Sequence, residues 1–262
     1  MKTTALALLF FLGSACGEEI RVMTSGAFTA AYLEVVPEFE RASRNKIVTS
    51  FGASMGSAPD SIPSRLQRGE PVDVLILARP ALDELVKQGK VLPGSCVDLV
   101  RSSIGMAVRA GAPKPDIGSV DALKRTLLQA KSIAYSDSAS GVYLSSELFQ
   151  RLGIADQVLS KSKRIQSVGV GTVVARGDAE IGFQQISELL PVKGIDYVGP
   201  LPPEVQKVTV FSAGVASASK RPDAARALIQ FLASPAVVPA IAKSGLEPFA
   251  AVAHAHSSEP RP

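Results

Sequence analysis

The run VDVLIL at Val72–Leu77, apolar except for Asp73, constrains the fold of this 262-residue chain more than any other segment. A strand of this kind has no polar face, so it has to be covered on both sides, as in a sheet with helices on its two faces. Pro80 follows at a position suited to opening a helix, and Gly89 is placed to end that helix. The segment therefore predicts a strand–helix unit of an α/β protein.

The same alternation of strands and helices runs along the rest of the chain. Strands are predicted at IRVMTS, Lys46–Phe51, SIGMAV, SIAYS, IGFQQI, DYVG and VTVFSAGVAS. Helices are predicted at Ala27–Ala42, Ile62–Arg68, Ala81–Gln88, Val120–Ala130, Val142–Leu152 and from Pro222 to about Lys243. Short strands that alternate with such helices predict parallel sheets.

The N-terminus has the pattern of an export signal. Lys2 precedes the apolar run Ala5–Leu12 and the small residues GSACG, so residues 1–17 are predicted to be a cleaved signal peptide, which places the mature protein in the periplasm. A lipoprotein acylated at Cys16 is the alternative, disfavoured because Gly13 stands where such signals usually carry a larger aliphatic residue. No later run reaches 18 apolar residues, so no stable membrane insertion is expected.

Composition excludes several classes of function. The net charge of +4 is scattered and there is no Trp, which argues against a nucleic-acid surface. A Cys/His zinc site would need both cysteines and both histidines, and removal of the predicted signal peptide with Cys16 leaves Cys96 alone, so no metal site is expected. His254 and His256 both lie in the stretch 250–262, which reads as a flexible tail, so the body of the protein holds no histidine for acid–base chemistry.

Small and hydroxyl-bearing residues gather where the predicted strands end. The segments are TSGAF, GASMGS, SDSASG and SVGVGT. Ligands of open α/β sheets bind at the carboxyl ends of strands, beside helix N-termini that attract anions. Each segment taken alone is better explained by plain helix capping, but four of them in one exported α/β protein favour an anion site.

Four segments also resemble one family. SFGASMGSA, RGEPVDVLIL, SGVYL and ARGDAEIGF are similar to the periplasmic molybdate-binding proteins of ABC transporters, in order from about Ile20 to Phe249. The resemblance implies an α/β, type 2 periplasmic-binding-protein fold: two α/β lobes joined by two crossover strands, with a ligand cleft between them. The implied crossovers lie near Val97–Val108 and Pro191–Val198. The implied lobes are residues 18–98 with 199–249, and residues 99–198.

The same resemblance implies ligand-binding positions. Ser25, Ser54, Ser140 and the turn that begins with Val168 and Gly169 fall where the family holds its oxyanion. A monomer is the usual state in this fold family, so a monomer is expected here.

Departures from the family pattern indicate a different ligand. Arg79 follows VDVLIL where the family carries no cation, and a guanidinium fits a carboxylate. Gln184 and Gln185 replace a ligand-binding Tyr, so Gln184 is predicted to donate to a carboxylate. Arg79 could instead face solvent, and the two glutamines could form a surface pair. Tyr143 could point its phenol into the cleft or pack against a neighbouring helix. Together these residues predict a cleft for an organic acid with several carboxylates.

In length, export signal and body the chain further resembles the enzymatic branch of this superfamily, the aconitate isomerases. This resemblance implies interconversion of trans- and cis-aconitate by allylic proton transfer, with a tricarboxylate as partner and no cofactor. Tyr143 is the first candidate for the general base, with an acid at the cleft edge in reserve, and Arg79 would stabilise the anionic intermediate. The competing hypothesis is a receptor that delivers a carboxylate or molybdate-like oxyanion to an ABC permease.

Overall fold

A computed structural model describes residues 17–249 and contains two sheets. The predicted signal peptide, apart from Gly17, and the predicted tail, residues 250–262, lie outside the described residues. The first sheet has the order β11-β4-β10-β3-β1-β2 and the second the order β7-β6-β8-β5-β9. The strands are β1 Glu19–Thr24, β2 Lys46–Phe51, β3 Val74–Ala78, β4 Val97–Ser102, β5 Ile104–Arg109, β6 Ile133–Ser136, β7 Ser162–Ile165, β8 Ile181–Gln185, β9 Ile195–Pro200, β10 Thr209–Val215 and β11 Glu247–Pro248.

Helices cover the sheets. They are α1 Gly26–Ser43, α2 Ile62–Gln67, α3 Arg79–Lys87, α4 Val120–Gln129, α5 Ala139–Tyr143, α6 Phe149–Arg151, α7 Ala155–Val158, α8 Val170–Arg176, α9 Ile186–Leu189, α10 Pro222–Leu232 and α11 Val238–Lys243. A π-helical turn, Leu144–Leu148, joins α5 to α6, and short 3₁₀ turns occupy Leu159–Lys161, Pro203–Val205 and Pro235–Val237. The final helical region is thus two helices, because Pro235 interrupts the ladder of backbone hydrogen bonds.

The expectation of purely parallel sheets is wrong. β1, β2 and β3 run parallel, as do β6, β7 and β8, but β10 is antiparallel to both β3 and β4, and β5 is antiparallel to β8 and β9. The antiparallel strands border the two places where the chain passes from one sheet to the other, so they enter each sheet without the helical crossover that a parallel neighbour requires.

The chain passes between the sheets twice. β4 lies in the first sheet and β5 in the second, with Ser103 between them, and the return runs through residues 201–208. Residues 99–102 therefore pair within the first sheet and residues 199–200 within the second. We propose that the lobes divide at these two passages.

Strand β3 is buried on both faces, as its composition predicts. Val74, Ile76 and Ala78 pack into the cluster beneath α1, whereas Leu75 and Leu77 pack into the cluster beneath α3 on the opposite face. A separate core, built around Phe149 and Phe183, fills the second lobe. Each lobe therefore has a core of its own.

Within residues 17–249, no single helix is long and apolar enough to cross a membrane; one bent pair, Pro222–Leu232 with Pro235–Lys243, reaches the required length and composition only when both parts are taken together.

Candidate functional site

A cavity of about 260 Å³ lies between the lobes, at the carboxyl ends of β1, β6 and β8. Both lobes contribute to its wall. The first lobe supplies Ser25, Gly26, Ala27, Phe51, Gly52, Ala53, Ala58, Asp60 and Phe211, and the second supplies Ser136–Ser140, Ile165–Gly169, Gln184, Gln185 and Glu188. The wall combines hydroxyl, amide and carboxyl groups with apolar side chains such as Phe51, Phe211 and Ile165, and it holds no Lys or Arg among the described residues. It suits a small polar molecule.

Ser25 stands at the N-terminus of α1 with its hydroxyl uncommitted. The residue is 2% exposed, and its Oγ is buried without a hydrogen-bond partner within residues 17–249. It does not cap its own helix, whereas Ser61 and Ser119 cap α2 and α4 by accepting a hydrogen bond from a first-turn backbone N–H. An unpaired buried hydroxyl is costly, and this one belongs to a residue of the cavity wall, which agrees with its predicted role toward a ligand.

A second helix N-terminus faces the cavity from the other lobe. The N-cap residue Ser138 also makes no side-chain capping bond to α5. Ser140 is 2% exposed, and its Oγ lies 2.9 Å from the Oγ of Ser136. Gly141 packs so close to the Ser136 carbonyl that a Cβ would lie 1.7 Å from its oxygen, so this glycine is what lets α5 start beside β6.

Glu188 brings a carboxyl group to the cavity from α9. Its Oε1 accepts a hydrogen bond of 2.8 Å from Nε2 of Gln184, and the Oε1 of Gln184 accepts one of 2.9 Å from the backbone N–H of Val170. Burial raises the pKa of Glu188 to about 7, although the Gln184 hydrogen bond acts to lower it. Near neutral pH this carboxyl is therefore present both with and without its proton.

The first lobe makes room for Glu188 at Gly26. A Cβ on Gly26, the first residue of α1, would lie 1.9 Å from Glu188 Oε1, so the carboxyl can occupy this place only because the residue is glycine. Beside it, the hydroxyl of Ser187 donates to the backbone carbonyl of Ala27 at 2.7 Å. The start of α1 and the whole of α9 thus meet across the cleft.

The two other carboxyls of the cavity already have partners. Asp137 accepts a hydrogen bond from Gln166 at 2.6 Å and lies 3.2 Å from the guanidinium of Arg164. Asp60 accepts a hydrogen bond of 2.7 Å from Ser167, which joins the lobes. Ser167 has a φ of 59°, a left-handed conformation that is uncommon outside glycine, so this side of the cavity is held in a strained turn.

Arg79 does not lie where the sequence places it. Its guanidinium pairs with Asp83 at 2.7 Å and with Asp98 at 2.6 Å, and it is not part of the cavity wall. Asp98 stands on β4, beyond β10, and so draws the arginine away from the cleft. Two carboxylates of the protein already satisfy the charge of Arg79, which speaks against its predicted roles in substrate binding and catalysis; those roles stay predictions.

Ser54 and Tyr143 are also outside the cavity wall. The hydroxyl of Ser54 accepts a hydrogen bond of 3.0 Å from the backbone N–H of Ala78 and so ties the loop to the end of β3. Tyr143 is 6% exposed within the second core, and its hydroxyl donates to the carbonyl of Val205 at 2.7 Å. Burial raises the pKa of Tyr143, which opposes a role as base. These contacts speak against the predicted ligand role of Ser54 and base role of Tyr143, which stay predictions.

The other predicted positions do meet at the cavity. Its wall includes Ser25, Ser140, Val168, Gly169 and Gln184, and their roles toward a ligand stay predictions. The amide of Gln184 holds a carboxyl of the protein in this structure.

The sequence interpretation did not single out Glu188. The sequence offered one signal, an acid in the first helical turn after a buried strand.

Other reactive groups lie elsewhere. Within residues 17–249 no three His, Cys, Asp or Glu side chains form a group that could hold a metal ion. Cys96 is a free, partly buried thiol outside the cavity wall, and burial raises its pKa.

Comparison with known proteins identifies the family. The profile of the family described as bacterial extracellular solute-binding protein matches residues 20–247. The chain belongs to this family. The solute-binding-protein fold is also that of the solved molybdate-binding protein of Azotobacter vinelandii, which superposes with a TM-score of 0.69 at 20% identity and covers 87% of this chain and 98% of its own. The predicted type 2 periplasmic-binding-protein fold is thereby confirmed.

Two curated relatives extend the comparison. An aconitate isomerase from a Pseudomonas species is 50% identical over 229 residues, which are 87% of each chain. A molybdate-binding protein from Azotobacter vinelandii is 26% identical over 227 residues, 83% of this chain and 85% of its own. Membership of this family indicates a periplasmic protein that binds a small molecule.

Proposed function

We propose that the protein is an isomerase that interconverts trans-aconitate and cis-aconitate in the cleft between its lobes. The observation that carries this proposal is the 50% identity to an aconitate isomerase over 87% of both chains. The similarity to molybdate-binding proteins is weaker in sequence but extends over most of the chain. It therefore supports a shared fold and not a shared reaction.

The cavity wall supports a small polyanion as substrate. Hydroxyls of Ser25, Ser138 and Ser140 and the first backbone N–H groups of α1 and α5 all face the same space. Helix N-termini attract carboxylates through their unpaired N–H groups and through the helix dipole. These neutral donors take the part that the sequence interpretation assigned to Arg79.

The proposed reaction is an allylic proton shift. A base takes a proton from the methylene carbon of trans-aconitate, and the electron pair of that C–H bond becomes the new C=C bond. The electrons of the former double bond move to the vinyl carbon, where the adjacent carboxylate shares the negative charge. That carbon then takes up a proton. The anionic intermediate is stabilised by donors that are already in place, as the serine hydroxyls and helix N-termini are here.

The remaining parts of the proposal concern the setting of the enzyme. We expect export through a signal peptide at residues 1–17, a monomer in solution, and a tricarboxylate as the small-molecule partner. No permease takes part in this reaction.

Turnover distinguishes an isomerase from a receptor of the same fold. Protein that begins at Glu18 is mixed with trans-aconitate, and ¹H NMR follows the vinyl and methylene signals, with heat-treated protein as the control. The proposal predicts catalytic formation of cis-aconitate by the native protein alone. Stoichiometric binding without conversion would instead indicate a carboxylate receptor, and binding of molybdate with no effect of aconitate would indicate an oxyanion receptor.

A further inference from the structure

Within the described part of the chain, Glu188 differs from Asp137 in having no cation and from Asp60 in having its carboxyl fixed by a side chain of its own lobe. Within residues 17–249, the one side chain that hydrogen-bonds to its carboxyl is the neutral amide of Gln184. Asp137 is paired with Arg164, and Asp60 accepts a hydrogen bond from Ser167 across the cleft. A carboxylate paired with a cation is a weak base, which sets Asp137 aside, and Asp60 is tied to Ser167 across the cleft. Burial raises the pKa of Glu188, so we take Glu188 as the proton acceptor of the cavity.

The geometry fixes this carboxyl in place. Gln184 bridges Glu188 to the N-terminus of α8, and the missing Cβ of Gly26 leaves space for the carboxyl beside the start of α1. The unpaired hydroxyl of Ser25 belongs to the residue just before Gly26 and lines the same cavity. A proton acceptor and an uncommitted hydrogen-bond donor are therefore neighbours.

The elements packed against α9 place few charges near this group. Strand β8 carries none, and the charged side chains of α1, α8, β5 and α11 are Glu34, Glu38, Glu40, Arg41, Arg176, Arg109 and Lys243. None belongs to the cavity wall, where Asp60 and Asp137 are the other titratable groups. Burial is the main influence on the pKa of Glu188, which it brings to about 7.

We propose that Glu188 carries the proton between the two terminal carbons of the allylic system, an inference that rests on the proposed isomerase function. The carboxylate takes the methylene proton as the C–H bond breaks, and the protonated carboxyl then gives that proton to the opposite carbon as the new C–H bond forms. The carboxylate is regenerated, no electrons are gained or lost, and no co-reactant is consumed. Gln184 is a positioning residue for this group.

The test compares the wild-type protein with Glu188→Gln, Glu188→Asp and Glu147→Gln. Glutamine keeps the shape and an oxygen for the Gln184 hydrogen bond but cannot take a proton from carbon. Glu147 is an exposed acid of the same lobe and serves as the control. For each protein, kcat and KM are measured from pH 5 to 9, trans-aconitate binding is measured by calorimetry, and exchange of the methylene protons is followed in deuterium oxide.

We expect Glu188→Gln to bind trans-aconitate within about threefold of wild type and to lose kcat by a factor on the order of 10³, together with methylene exchange. Glu188→Asp should keep part of the activity, and Glu147→Gln all of it. In the wild type, kcat/KM should rise about tenfold per pH unit below a midpoint near 7, because only the ionised carboxyl is a base.

The outcomes separate the two proposals. An active wild type with a Glu188→Gln variant that keeps kcat or methylene exchange within about threefold overturns the role of Glu188 and leaves the isomerase function standing. A wild-type protein that binds aconitate but never converts it overturns both. Loss of binding together with kcat in Glu188→Gln would show a structural role and would also overturn the inference.

Discussion

Strands β3 and β8 are built alike and end differently. Each lies inside its sheet, is buried along all five residues, and passes directly into a helix that carries charge close to the strand end. After β3, Arg79 turns to Asp98 on β4 and lies outside the cavity wall. After β8, Gln184 holds Glu188, which faces the cavity.

The difference shows what decides whether a charge at a strand end serves a ligand. Arg79 has two carboxylates of the protein within 2.7 Å, so its charge is already satisfied. Glu188 has a neutral amide and the space left by Gly26. A strand end therefore supplies a reactive group only where the neighbouring elements leave that group unpaired.

Apart from replacement of Glu188 itself, the substitution Gly26→Ala should cause the largest loss of kcat. The new Cβ would lie 1.9 Å from Glu188 Oε1 and would push the carboxyl aside. Because a displacement of about 1 Å can cost 10²-fold in rate, kcat should fall by about that factor, with little change in thermal stability since a flexible side chain can move. Gly199→Ala, where a Cβ would meet its nearest atom at 3.8 Å, is the matched control. Equal activity of the two variants would contradict the placement of Glu188.

The substitution Gln184→Ala should have the next largest effect. It removes the hydrogen bond that lowers the pKa of Glu188, so the acidic limb of the pH–rate profile should move to higher pH. Loss of the bond to the Val170 N–H should also destabilise the fold by about 1–3 kcal/mol. Kinetics across pH and urea unfolding measure both effects, with the exposed Gln150→Ala as control. If the acidic limb of the pH–rate profile does not move, Gln184 does not influence the pKa of Glu188.

The substitution Arg79→Ala should change stability and leave catalysis alone. Losing the partly exposed pairs with Asp83 and Asp98 should destabilise the protein by about 1 kcal/mol, while KM and kcat for trans-aconitate stay within about twofold. Steady-state kinetics and urea unfolding of the same preparation are sufficient. A tenfold rise in KM would show that Arg79 binds substrate. The two strand ends would then not differ in the way described.

The substitution Tyr143→Phe should have the smallest effect. Only the hydrogen bond from the phenol to the Val205 carbonyl is lost, so the free energy of unfolding should fall by about 1 kcal/mol, with kcat unchanged. Activity and thermal unfolding check this. A large loss of kcat with stability intact would restore Tyr143 as the base.

Sequence patterns predict the fold well where the need to bury apolar residues allows only one arrangement. The apolar run of β3 requires cover on both faces, and the structure provides it through α1 and α3. Strand β7 was missed because its charged residues Lys163 and Arg164 are exposed at a sheet edge and carry no apolar pattern. The parallel pairing of all strands was over-predicted, since the order of elements does not reveal where the chain changes sheets.

The site was predicted less well, for a physical reason. Sequence shows that Arg79 ends a buried strand, but Asp98, 19 residues further on, decides where its guanidinium points. In the same way, the role of Glu188 depends on the missing Cβ of Gly26, on the far side of the cleft. Such pairings between distant parts of the chain are set by the tertiary fold, and no local pattern records them.

The most direct test of this account is a crystal structure of the Glu188→Gln variant with trans-aconitate. The account predicts the ligand in the cavity between the lobes, with carboxylates on Ser25 and at the start of α5, and with the methylene carbon about 3.5 Å from the side-chain amide of residue 188. A ligand bound at Arg79, or one whose methylene carbon faces away from position 188, would contradict it.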